Sequence, residues 1–231
     1  TREGLDINYQ AQCNQDTLCN LTNHTYFNLS GHNSGPMTGQ YIQILADHYT
    51  PTAAGSIPTG AVAKVERTPM DLRRACPIGA HADDSFEQLT LAGGYDHNWV
   101  INGWDGTLRP AARAWSPDTG ITLETLTTLP GIQFYSGNYL DGCPGARVAL
   151  PTPSDGAFVW RRSISPTPPI TPAFHLLFCR QARHTASGQH IVLACRTAGL
   201  TTSKRRRRMQ RPNGCRRYDP QRVKKAPGRR L

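Results

Sequence analysis

Ile121-Thr122-Leu123-Glu124-Thr125-Leu126-Thr127-Thr128-Leu129-Pro130-Gly131-Ile132-Gln133-Phe134-Tyr135 carries the period that decides the fold. Ile121, Leu123 and Thr125 fall at every second position, which sets them on one face of a pleated strand. Pro130-Gly131 then turns the chain, proline by its fixed φ and glycine by its freedom. Past the turn the alternation restarts, with Gln133 and Tyr135 on one face and Phe134 on the other.

The same unit recurs along the chain. Leu5, Ile7 and Tyr9 alternate, as do Ile42, Ile44 and Ala46; Val62 and Val65 lie near Ala61 and Ala63, and Trp99 pairs with Ile101. Gly31, Gly35-Pro36, Gly55, Pro58-Thr59-Gly60, Gly93-Gly94 and Gly103 punctuate these runs at the spacing of a β-sandwich. No window holds a convincing amphipathic helix, so the expected class is all-β, mostly antiparallel sheet. We find no internal repeat at solenoid or propeller periods.

Composition sets the outer limits. With 231 residues, 38% apolar, 8% aromatic and 18% charged, the chain can bury a core, which argues against a wholly disordered polypeptide. No apolar run approaches the roughly 18 residues of a membrane span, and Thr1 to Ser30 has no basic-then-apolar signal pattern, so no membrane partner and a cytoplasmic location are expected. Seven cysteines (13, 19, 76, 143, 179, 195, 215) make no regular framework, and reduced thiols are the simpler expectation.

Charge divides the chain in two. Residues 1 to 142 hold 7 Lys+Arg against 14 Asp+Glu, net −7, whereas 143 to 231 hold 19 against 2, net +17. The second part shows neither strand nor helix period: Ser163 to Pro172 is proline-rich, and Lys204 to Leu231 is dominated by arginine. The expected organisation is a sandwich domain over 1–142 followed by a disordered, basic, Pro/Arg-rich tail over 143–231.

Three clusters in the acidic part carry chemistry. Leu21-Thr22-Asn23-His24-Thr25-Tyr26-Phe27-Asn28-Leu29-Ser30-Gly31 sets a histidine among hydrogen-bonding side chains and two aromatics. Such a histidine can exchange a proton near neutrality, and aromatic faces pack on the apolar faces of sugars; a loop histidine held by backbone is the plainer alternative. The three N-x-S/T sequons there, at Asn20, Asn23 and Asn28, count only in a secreted protein. Gly93-Gly94-Tyr95-Asp96-His97-Asn98 sets a carboxylate in a tight turn at the mouth of a strand, suited to accepting sugar hydroxyls or simply to closing an Asp/Asn turn. The third cluster is Pro130 to Asn138, with Gln133 and Tyr135 sharing a face.

Taken in order, LTNHTYFNLSG (21–31), IPTG (57–60), TPMDLR (68–73), GGYDHN (93–98) and PGIQFYSGNYLDG (130–142) resemble the aldose 1-epimerases, also called galactose mutarotases. The resemblance runs from about Leu5 to Gly142. It implies part of a large antiparallel galactose mutarotase-like supersandwich that binds a hexose such as galactose or glucose on its concave face. It also implies interconversion of the α and β anomers by acid/base ring opening, with no cofactor and no metal, in a monomer. By resemblance, His24 matches the general acid that protonates the ring oxygen, with Thr25 and Tyr26 beside it in the sugar site. Asp96 matches the carboxylate that binds sugar hydroxyls, and Gln133 the polar residue of the PG-x-QFY strand.

Two parts of the family pattern have no counterpart in the chain. The earlier strands that carry an arginine–asparagine pair and a second histidine are absent, and so is the segment close to CLETQHFPDSPN that supplies the general-base glutamate. Phe158 to Ile170 stands where that segment is expected. Trp160 has one codon, ending in G, so an AG-type codon for Arg161 gives GAG, glutamate, in the shifted frame. Continued across Phe158 to Ile170, the shifted frame permits all of CLETQHFPDSPN. The expectation is a frame change between about Asp141 and Phe158, with out-of-frame translation beyond it and loss of the base. Activity is then impaired, since losing one such group costs about 10² to 10⁴ in rate.

Two other function classes compete. A non-catalytic carbohydrate-binding fragment would keep His24, Asp96 and Gln133. A nucleic-acid binder would use Lys204 to Arg208 with Arg216, Arg217, Lys224, Lys225, Arg229 and Arg230, but only Tyr218 is there to stack on a base, so non-specific polyanion contact is all that is expected. His175, Cys179, His184, His190 and Cys195 match no zinc-ligand spacing, and no metal site is expected there.

Overall fold

The computed structural model describes residues 4–9, 11, 21–81 and 84–140, and the backbone of 17–18, 143–144, 151–152, 158–163, 178–179 and 189–197. Two six-stranded sheets dominate. In chain order their strands are β1 (Gly4–Tyr9), β2 (Tyr26–Phe27), β3 (Tyr41–Ile44), β4 (His48–Thr50), β5 (Ala63–Lys64) and β6 (Cys76–Pro77). They continue with β7 (Asp96–Val100), β8 (Arg109–Trp115), β9 (Ile121–Thr127), β10 (Gly131–Tyr135), β11 (Phe158–Ser163) and β12 (Gln189–Thr197). The first sheet runs β1-β12-β9-β8-β3-β6 and the second β2-β11-β10-β7-β4-β5. Neighbouring strands in both sheets are antiparallel, as the alternation predicts.

The core lies where the inner faces meet. Ile42, Ile44, Ala112, Ala114 and Leu123 of the first sheet join Tyr49, Trp99, Ile132 and Phe134 of the second in one buried cluster. Period two explains the selection: in β10, Ile132 and Phe134 turn inward and Gln133 outward, so one strand serves both core and surface. The TPMDLR segment plugs the same core with Met70 and Leu72. Its backbone satisfies two buried polar tips, since Trp99 Nε1–H donates to Met70 O at 3.0 Å and the Tyr95 hydroxyl to Pro69 O at 2.9 Å. Arg73 then ties the corner between the sheets, bonding Asp71 Oδ1 and Oδ2 at 2.8 and 2.7 Å and Asp47 Oδ1 at 2.9 Å.

Three elements differ from the sequence expectation. A six-residue helix, α1 (Glu87–Ala92), is present where none was expected; it is shorter than two turns, too short to show a helical period. Gln88 fixes it to the sandwich by accepting from Thr52 N–H at 2.7 Å and donating to Thr52 O at 3.0 Å, and Gly93 at φ 65° ends it. Strand β8 was not foreseen because its inward residues are alanines, and a register shift between Pro110 and Ala112 breaks the alternation. Beyond residue 142, where the sequence shows no strand period, the backbone of β11 pairs with β10 and that of β12 enters between β1 and β9. The basic stretch 204–231 and most of the proline-rich segment lie outside the described residues. Among the described residues no helix is long and apolar enough to cross a membrane.

Candidate active site

The outward face of the second sheet gathers the polar residues of the sequence motifs. Asp96 opens β7 opposite Tyr135, and Asn98 stands opposite Gln133. Because His97 and Trp99 go to the core, Asp96 and Asn98 share the other face with Gln133 and Tyr135. Gln133 Nε2–H donates to Asp96 Oδ1 at 2.8 Å, a diagonal contact between adjacent strands that a long side chain can span. Both residues are half-buried, so the pair is held yet reachable from solvent.

The other pair lies at the sheet edge. Tyr26 stands opposite Val159, which stands opposite Tyr135, which stands opposite Asp96. Tyr26 and Asp96 therefore occupy one row, three strand spacings apart, or about 14 Å. His24 lies two residues before Tyr26, with the rings 5.1 Å apart and tilted by 52°. The ladder ends at Tyr26; continued two residues, its register would set residue 24 level with position 161, which faces Gln133. His24, Thr25 and Tyr26 are exposed. Of the five residues expected in the site, then, Asp96 and Gln133 touch each other and His24 and Tyr26 touch each other, while Thr25 joins neither contact.

The neighbour of Asp96 is electrostatically distinct. His97 is fully buried on the core face, where burial pushes its pKa down to about 4, so it is neutral near pH 7 and takes no part in this face. Its Nδ1 accepts the Asp96 N–H at 3.2 Å, and its Nε2 has no partner. Sequence reasoning missed Asn98: it is almost fully buried beside Gln133, and its Oδ1 makes no hydrogen bond. An unpaired amide oxygen becomes visible only once the sheet is assembled. Among the described residues no group of three or more His, Cys, Asp or Glu is gathered to hold a metal ion, and the side chains of His175, Cys179, His184, His190 and Cys195 lie outside them.

The aldose 1-epimerase family matches residues 1–161, well over half of the chain. The chain belongs to the aldose 1-epimerase family. It is 43% identical to the galactose mutarotase of Homo sapiens over 138 residues, 60% of this chain and 39% of the human protein. It is 38% identical to the aldose 1-epimerase of Escherichia coli K12 over 142 residues, 61% of this chain and 40% of the bacterial one. The chain thus spans about two fifths of the length of these relatives. The crystal structure of an aldose epimerase homologue from C. elegans superimposes with a TM-score of 0.72 at 27% identity, covering 86% of this chain and 57% of that one. The galactose 1-epimerase of Lactobacillus acidophilus, at 20% identity and a TM-score of 0.66, agrees in fold. All five residues of the candidate site fall within the part that matches the aldose 1-epimerase family.

Proposed function

We propose that this face takes a hexose, galactose or glucose, and that the chain descends from an enzyme that interconverts the α and β anomers. The observation that carries this reading is the Gln133–Asp96 hydrogen bond on the same sheet face as the edge that bears Tyr26. A carboxylate oriented by an amide accepts hydroxyl hydrogens, and the amide's remaining hydrogen-bonding capacity suits a second hydroxyl. Thr25 and Tyr26 line the edge of the site. His24 is the general acid: it gives its proton to the ring oxygen while a base removes one from the anomeric hydroxyl, the ring opens, the aldehyde turns, and closure yields the other anomer. Donating and accepting on opposite sides of the C1–O5 bond avoids a full charge in the transition state.

The base is what this chain lacks. Position 161 stands opposite Gln133 and holds arginine, where a glutamate in the shifted frame would meet the sugar from the strand next to Gln133. We place the change of frame between about Asp141 and Phe158, and take the polypeptide as an impaired mutarotase that retains sugar contacts. It acts as a cytoplasmic monomer, and the basic stretch from Lys204 has no part in sugar recognition. Polarimetry of freshly dissolved α-galactose, alongside calorimetric titration with galactose, tests this directly. Saturable binding is expected, with anomer interconversion lower by about 10² to 10⁴ than for a complete enzyme. Full-rate mutarotation would refute the impairment, and the absence of any saturable sugar binding would refute the site. Independent sequencing of the transcript from Tyr135 to His184 tests the frame, which stands only if the codons of Trp160 and Arg161 permit GAG.

A further inference from the structure

Asp96 sits at a strand end, a loosely held position for a group that must be fixed in place. It is the first residue of β7, and strand ends fray; directly before Tyr95 come Gly93 and Gly94, at φ 65° and 139°, the least stiff pair of residues available. The buried ring of Tyr95, bonded to Pro69 O, anchors its side chain from the core but leaves the adjoining peptide planes to be set by something else. The segment after β10 supplies it. Ser136 N–H donates to Tyr95 O at 3.0 Å, and Tyr95 N–H donates to Ser136 Oγ at 2.9 Å. Asn138 Nδ2 donates to Tyr95 O at 3.1 Å and to Ala92 O at 2.8 Å, and its Oδ1 accepts from the Ser136 hydroxyl. Two side chains therefore hold the backbone from the end of α1 to the residue before Asp96.

Gly94 carries independent evidence for this clamp. A Cβ there would lie 2.5 Å from Asn138 Oδ1 and 2.8 Å from Ser136 Oγ, so the glycine is what lets these two side chains reach the backbone. From this geometry we infer that Ser136 and Asn138 are positioning residues that aim the Asp96 carboxylate at Gln133. The inference rests on the sugar-site reading above for its functional meaning, because the carboxylate so aimed is the proposed ligand of the sugar hydroxyls. The clamp acts through Tyr95; neither Ser136 nor Asn138 touches the sugar in this scheme.

Nitrogen-15 NMR of the full 231-residue chain separates positioning from folding. The Gln133 side-chain amide reports its bond to Asp96, and the Trp99 indole N–H, bonded to Met70 O in the core, reports the fold. In Ser136→Ala and Asn138→Ala the Gln133 amide is expected to move toward the position of a free amide and exchange faster with water, while the Trp99 indole stays in place. Ser136→Thr, which keeps the hydroxyl, is expected to retain the wild-type Gln133 signal. Galactose affinity should fall by about three- to tenfold in the alanine variants, the effect of one misplaced hydrogen bond. An unchanged Gln133 amide in both alanine variants overturns the inference. So does loss of the Trp99 signal in both, which would make the clamp a support of the whole domain. If the Gln133 amide responds as expected but the wild-type chain binds no galactose, the clamp stands and the sugar-site reading is what fails.

Discussion

Acid should destabilise this domain through the buried His97, and the size of the effect follows from its surroundings. His97 is fully buried, with its ring set edgewise against Tyr49 and Trp99 at centroid distances of 6.1 and 6.4 Å. Burial lowers its pKa from 6.5 to about 4. Above pH 6.5 both the folded and unfolded states carry it neutral, and it contributes no pH dependence. Between 6.5 and about 4 the unfolded chain binds a proton that the folded chain refuses, so stability falls as pH falls. Below about 4 both states are protonated and the loss levels off. Linkage puts the loss at about 2 kcal/mol by pH 5 and about 3 kcal/mol at pH 4, a large share of the roughly 5–15 kcal/mol of a typical domain. Urea unfolding followed by tryptophan fluorescence at about pH 7.5, 6 and 5 measures it, with His97→Gln as the reference that keeps an acceptor for the Asp96 N–H but cannot titrate in this range. Whatever the variant costs at pH 7.5, its disadvantage should shrink by about 2 kcal/mol at pH 5, because only the wild type loses this term. A difference between the two proteins that stays constant with pH would refute the argument.

Phe134→Ala should cost about 3–5 kcal/mol by the same unfolding assay, since the ring is fully buried at the meeting of both sheets and packs against Tyr95 and Trp99; a loss below about 1 kcal/mol would mean that the two sheets do not share this core. Gly94→Ala should cost about 2–4 kcal/mol in thermal or urea unfolding, because it combines a φ of 139° with a clash on Asn138 and Ser136, and an Asn138→Ala background should relieve part of that loss.

What the sequence made legible follows from what alternation can report. It marks strands with one dry and one wetter face, which is why β3, β9 and β10 are legible: Ile42 and Ile44, and Leu123 and Thr125, are buried while their neighbours along the strand are not, and in β10 the half-buried Gln133 stands between the buried Ile132 and Phe134. It is silent where the inward residues are small, as in β8, and where an element is shorter than its own period, as in α1. The same alternation sets Gln133 on the face opposite Phe134, but its partner Asp96 lies 37 residues away, and only family resemblance links the two. Ser136 and Asn138 have no role legible in their motif because the groups they hold are main-chain ones, of Tyr95 and Ala92, which carry no side-chain signature. Asn98 was unreadable for a similar reason, since its distinction is a bond it does not make.

In the proposed scheme binding and proton transfer draw on different parts of this chain. The strand that holds Gln133, the strand that begins with Asp96, and the segment that clamps Tyr95 all lie between Gly93 and Tyr139, in the acidic part, and are joined by hydrogen bonds internal to it. Proton transfer is different, because in the proposed scheme the acid comes from the edge at His24 and the base from the strand between that edge and Gln133, the strand whose sequence belongs to the basic part. A change of frame upstream of Phe158 therefore strikes the base directly and leaves the residues proposed to hold the sugar hydroxyls as they were. In the proposed scheme a break before Gly93 would remove both together, whereas one between about Asp141 and Phe158 separates recognition of a hexose from its conversion.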